Sequence, residues 1–455
     1  MRILFSFLTL VLVVSYGWTL WRIIRSSSTL TPLLGWWVGL GYFLVAPLSM
    51  MTLLGGYEMP ASYEVGQSWS GVSFRDGSFL LPYLLVWLSL QGACLAIYVF
   101  MPAARSASDN GLVTSERRLE RVLLITMALT VLDWVVMIRL VGGIETFLVS
   151  HWYERGEDLV ASLGDSYVLL SHLSTANQVI FASAAALYTG LLLKHGRVKT
   201  KFLLLVGLFF LLEVVMTGNR IYLAIYLMAV LVFCALYPRR RVIVALLVAS
   251  PVLVLVFSAW SAIRHDLSDI PQSVSSYADA DHENYVTSSL FNVVEGMDAL
   301  LLMHVVRDFG TRFEYLRGES YSRLILSFIP RSVYPGKPSN LTAVMAELYL
   351  PNVLTSLNVT EMGEMYANFG PLTILLFPLF TIGVIGLSHW TASLQTLHGL
   401  VPSVLFTLMA WTARVTLEDS FLVFVLAFLL MSLFRMERGL CDARSPRQHA
   451  AAFLP

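Results

Sequence analysis

Long runs of uncharged apolar residues recur along this chain, and they decide what it can fold into. Eleven are read as bilayer spans, near residues 3–21, 32–54, 79–101, 122–140, 166–193, 202–216, 221–236, 242–263, 371–389, 401–413 and 421–434. Crossing about 30 Å of hydrocarbon takes roughly 20 apolar residues in a helix, so the shorter runs are marginal in length. With 57% hydrophobic and 13% charged residues over 455 positions, the apolar surface is too large for a water-soluble core to bury. The expected class is an all-α polytopic integral membrane protein. The first run is read as an uncleaved span, because Arg22 and Arg25 follow it and no small-residue cleavage site is evident.

Orientation follows from the basic residues. With the N-terminus outside and the C-terminus inside, seventeen of the 30 Lys and Arg fall in cytoplasmic segments, as the positive-inside rule requires. The expected organisation is spans one to eight in 1–263, one large outward loop at 264–370, spans nine to eleven in 371–434 and a cytoplasmic tail at 435–455. A net charge of zero gives no pull toward nucleic acid. Cys94, Cys234 and Cys441 fall in two spans and the tail, which supports no disulfide framework. No internal repeat is visible.

One segment breaks the apolar pattern. From Phe313 to Pro371 it carries Arg317, Arg323, Arg331 and Lys337, with Pro330, Pro335 and Pro338 around Gly336 and a second turn from Asn368 to Pro371. Proline fixes φ and removes a donor, so residues 329–338 are expected to form a rigid shaped loop. Outward basic residues other than Lys337 are arginine, whose planar fork grips phosphate oxygens in pairs. The plain counter-reading is that arginine outnumbers lysine throughout this sequence.

Several residues have a chemical and a bland reading side by side. Arg220 in the TGNR turn, Arg264 in AIRHD and Arg414 in ARVTLEDS each adjoin a predicted span. An arginine in hydrocarbon costs roughly 2.5–3.5 kcal/mol and usually faces a protein interior or a wet cavity; the bland reading is an interfacial anchor. Glu361 and Glu364 share one face if their segment is helical, or form a solvated helix start. Glu418 and Asp419 sit beside Arg414. The Asp279, Asp281, His282, Glu283 cluster is read as loop decoration, and the Asn340 and Asn358 sequons as chance matches. Asp133 in span four is either a proton relay or one half of an interhelical hydrogen bond. Most interfacial aromatics are read as membrane-belt residues.

The runs IPRSVYPGKP (329–338) and GEMYANFG (363–370) resemble motifs of the bacterial oligosaccharide repeat-unit polymerases of the O-antigen and enterobacterial-common-antigen (Wzy) type. So do TGNR (217–220), ARVTLEDSF (413–421) and GGIETF (142–147), so the resemblance extends from about residue 140 onward. It implies a glycosyltransferase C-like enzyme of the bacterial inner membrane, polymerising undecaprenyl-pyrophosphate-linked repeat units at the periplasmic face without cofactor or metal. Implied partners are the lipid-linked glycans and the bilayer, with room for a polysaccharide chain-length regulator of the Wzz type. The resemblance casts Arg414, Glu364 and Asp419 as catalytic, Arg414 neutralising charge on the leaving group and a carboxylate taking the proton. It casts Arg220, Arg264, Arg331, Lys337, Tyr334, Tyr366 and Asn368 as binding pyrophosphate or glycan. Two alternatives stay open. One is an O-antigen ligase, for which His265, His282 and His304 are available; the other is a lipid-linked oligosaccharide flippase.

Overall fold

The computed structural model describes residues 1–27, 29–57, 72–74, 77–101, 115–149, 165–196, 199–238, 296–326, 329, 333–350, 357–393 and 400–434, and they are mostly helical. The helices are α1 (Arg2–Ser26), α2 (Pro32–Leu40), α3 (Ala46–Leu54), α4 (Leu80–Phe100), α5 (Glu116–Leu140), α6 (Ile144–Val149), α7 (Asp165–His195), α8 (Thr200–Thr217) and α9 (Ile221–Leu236). After them come α10 (Gly296–Asp308), α11 (Glu319–Leu326), α12 (Leu341–Tyr349), α13 (Glu361–Phe369), α14 (Thr373–Ser393), α15 (Leu400–Thr412) and α16 (Leu417–Leu433). A π-helical stretch, Gly41–Val45, joins α2 to α3, and Gly56–Tyr57 pairs antiparallel with Val72–Ser73.

Among the described residues, seven helical stretches are long and apolar enough to cross a membrane. Helices α9 and α15 are apolar but shorter. The span expected at 242–263 lies outside the described residues. Apolar side chains left exposed fall at helical spacing, as with Ile3, Phe7, Leu10 and Val14 on α1 and Leu204, Leu208 and Leu211 on α8. In water such stripes would be costly, whereas against acyl chains they lose nothing. These features define the chain as a helical membrane protein.

Helix α7 is the central one. Its positions from Ala176 to Leu193 are almost all buried, and α5, α9, α15 and α16 pack around it. Lipid supplies no hydrophobic drive between helices, so close packing and interhelical hydrogen bonds hold them together. Asn177 of α7 donates to Thr130 Oγ1 at 2.7 Å and to the Thr126 carbonyl at 3.0 Å, both on α5. Ser183 donates to Thr407 of α15 at 2.8 Å. Asp133 of α5 is hydrogen-bonded to Ser174 of α7. Between α2 and α15 the backbones touch: a Cβ at Gly35 would overlap the Phe406 carbonyl oxygen, and one at Gly39 the Ala410 carbonyl oxygen.

The segment expected as one long outward loop is helical over most of its described part. Helix α10 is buried along almost its whole length, against α3, α4 and α13. Asp298, His304, Arg307 and Asp308 lower its apolarity, which is why its sequence does not read as a span, yet its Ala299–Met303 run is fully packed. The Tyr334–Lys337 turn, closed by Lys337 N–H donating to the Tyr334 carbonyl at 3.2 Å, is non-helical as the prolines predict.

Candidate functional site

Three turns or helix starts from distant parts of the sequence meet around one cavity of about 230 Å³. Helix α8 ends on Gly218 in the left-handed conformation, φ 67°, and the chain reverses through Asn219 and Arg220 into α9. A residue with a Cβ is disfavoured there, so the glycine fixes the reversal. Asn219, Ile221 and Tyr222 line the cavity from this side. The turn between α15 and α16 contributes Arg414 and Val415, and the first turn of α16 adds Asp419. From α7 come Ser171, His172 and Thr175, and Asn358 closes the set with Trp411 and Val423. The volume is below the roughly 300–1,000 Å³ of drug-sized pockets.

Arg414 is buried, and its charge is matched. Its Nε donates to Asp298 Oδ2 of α10 at 2.8 Å. With its amide turned oxygen-first, Asn358 accepts from Nη2 at 3.2 Å and Nη1 at 3.3 Å. Asp419 is held by Thr416 Oγ1, which donates to Oδ2 at 3.0 Å, and by Asn340 Nδ2, which donates to Oδ1 at 3.4 Å. His172 Nε2 lies 3.9 Å from Asp419 Oδ1.

A buried polar layer adjoins the cavity through the first turn of α16. Arg323 of α11 meets Glu418 at 2.8 Å, both nearly excluded from solvent. Glu364 of α13 is fully buried; it accepts from Ser320 Oγ at 2.7 Å and from the Leu417 N–H at 2.8 Å. The second bond caps the start of α16 with a carboxylate, where a helix N-terminus favours negative charge. Asn368 donates to Ser320 Oγ at 2.8 Å and accepts from the Gly318 N–H at 2.9 Å. Helix α13 is itself started by Thr360, which accepts from Gly363 N–H. Glu361, one turn before Glu364, is buried, and among the described residues neither of its carboxyl oxygens has a hydrogen-bond partner. Burial first, then the Glu361 and Glu364 carboxyl groups, hold the Tyr321 hydroxyl well above its ordinary pKa, so it keeps its proton.

The structure therefore brings together Arg414, Asp419 and the turn carrying Arg220, with Glu364 in the adjoining layer. Arg220 caps α9 half-buried, next to the cavity-lining Asn219. Among the described residues, the other expected site residues do not line the cavity. Tyr366 is buried against Tyr315, ring centroids 6.3 Å apart, and lines a small apolar cleft with Leu85, Val86 and Met362. Asn368 is spent on backbone and Ser320 contacts. Tyr334 is exposed, and Lys337 Nζ donates to the Ile329 carbonyl at 3.3 Å. Arg264, Arg331 and the 279–283 acidic cluster lie outside the described residues, as do His265 and His282. His304 is enclosed by the Phe79 and Tyr349 rings at 5.4 and 6.3 Å. The solvated-helix-start reading of Glu361 and Glu364 does not hold, since both are buried.

Sequence reasoning missed His172, Asp298, Ser320 and the Arg323–Glu418 pair. A signal existed for His172: it is an ionisable residue inside a long apolar run, and such residues mark functional candidates. Comparison of the chain with protein-family models, with curated proteins and with solved structures gives no match.

Proposed function

We propose that the chain is a polytopic glycosyltransferase of the bacterial inner membrane that polymerises undecaprenyl-pyrophosphate-linked repeat units at the periplasmic face. The observation that carries this reading is the meeting of Arg414, Asp419 and the Asn219–Arg220 turn around one polar cavity in an otherwise apolar helical bundle. The acceptor hydroxyl attacks the anomeric carbon of the growing chain, and the lipid diphosphate leaves. Arg414, fixed by Asp298 and Asn358, presents an oriented guanidinium to the charge that develops on the leaving group. Arg220, beside the cavity-lining Asn219, is the second cation near the site in this reading. In this reading eleven spans cross the bilayer with the N-terminus outside and the C-terminus inside, and the cavity opens to the periplasm.

The test is incubation of purified protein with a synthetic lipid-linked repeat unit, followed by gel separation of the products. The expected result is a ladder of products, with rungs weakened or lost in Asp419→Asn and Arg220→Ala. Movement of lipid-linked glycan across liposomes without elongation contradicts the reading and favours a flippase; transfer only to lipid A core favours a ligase.

A further inference from the structure

We propose that His172 is the proton acceptor of this reaction and that Asp419 is its positioning partner; the inference rests on the glycosyltransferase reading above. The carboxylates favoured from the sequence are poorly placed for the task. Both Glu364 oxygens accept hydrogen bonds, from Ser320 and the Leu417 N–H, and the side chain is sealed from the cavity by burial. Asp419 lines the cavity, but Thr416 and Asn340 hold its two oxygens from either side. What they leave is a carboxylate fixed in place, with Oδ1 3.9 Å from His172 Nε2. Such contacts are often long in the absence of substrate and shorten when it binds.

His172 sits on α7, the most buried of the seven candidate spans among the described residues, yet its side chain is 21% exposed and lines the same cavity as Arg414. Besides Asp419, the titratable and charged groups lining that cavity are Tyr222 from α9 and Arg414 from the α15–α16 turn, among the described residues. Imidazole as a side-chain type exchanges protons near neutrality, and an adjacent carboxylate orients the ring and stabilises the imidazolium. In the step, the acceptor O–H bond breaks and its proton passes to the imidazole. The oxygen bonds to the anomeric carbon, the anomeric C–O bond to diphosphate breaks, and the electron pair leaves on the diphosphate oxygen. Water then takes the proton from the imidazolium.

The experiment measures ladder formation by wild type, His172→Ala and Asp419→Asn, each with and without added imidazole. His172→Ala should lose about 10²–10⁴-fold in rate, and imidazole entering the vacated space should restore it at least about tenfold. Asp419→Asn should lose activity without gaining from imidazole. If His172→Ala fails to fold, His172→Gln keeps the volume and cannot carry the proton, and the same loss is expected of it. A His172→Ala enzyme at wild-type rate overturns the assignment, as does an inactive, folded His172→Ala that imidazole leaves unchanged. A wild type that makes no ladder overturns the polymerase reading and this role with it, whereas an active wild type with an unaffected variant overturns the role alone.

Discussion

Arg414 shows how one side chain can be at once a site residue and a structural tie. Its ion pair with Asp298 is buried on both sides, and removing one partner leaves an uncompensated charge. Asp298→Ala is expected to destabilise the protein by about 3–5 kcal/mol, while the double change Asp298→Met with Arg414→Met recovers most of that loss. Thermal unfolding in detergent measures both, and a double variant as unstable as the sum of the singles contradicts the pairing. For the same reason Arg414→Ala is a poor probe of chemistry alone. Glu361 gives the opposite prediction: its oxygens have no partners among the described residues, so Glu361→Met should stabilise by about 1–3 kcal/mol. A loss of stability in that variant would mean that the carboxyl group has a partner in the folded protein. Arg414 was legible as a candidate because it is a charge beside short apolar runs, and Glu364 and Asp419 because they lie in the GEMYANFG and ARVTLEDSF runs that carry the family resemblance. Their partners were not legible. Asp298 and His172 are 116 and 247 residues from the groups they face, and only tertiary packing decides such pairings.

At the scale of elements, the close contact between α2 and α15 depends on two residues with no side chain. Gly35 and Gly39, four apart on α2, let its backbone approach α15 at Phe406 and Ala410, the spacing of a small-xxx-small interface. Gly39→Val should force the two helices apart and lower the detergent unfolding temperature, and Gly207→Val on α8, where a Cβ meets nothing within 4 Å among the described residues, should not. Equal effects from the two changes would contradict this packing. The spacing was present in the sequence, but glycines also mark turns and kinks, and nothing local said which helix would face them. The opposite difficulty hid α10. Its four ionisable residues made it read as part of a loop, and they are tolerated inside because Asp298 finds Arg414 and Asp308 finds Arg307 at 2.6 Å.

At the scale of the whole molecule, the apolar runs made the class plain, because no soluble fold can use so many of them. The sidedness is an inference from basic residues, and it makes a prediction of its own. A cysteine introduced at exposed Tyr334 should react with a membrane-impermeant maleimide applied from the periplasmic side of intact cells, and one at Lys199 should not. The reverse pattern would turn the cavity toward the cytoplasm, where a periplasmic polymerase cannot work. The central claim is that this bundle joins repeat units with loss of lipid diphosphate. Its most direct test counts the undecaprenyl diphosphate released by purified protein against the glycosidic bonds formed from a defined synthetic substrate. The account predicts one released per bond, in products that grow by whole repeat units; release without elongation, or no release at all, would contradict it.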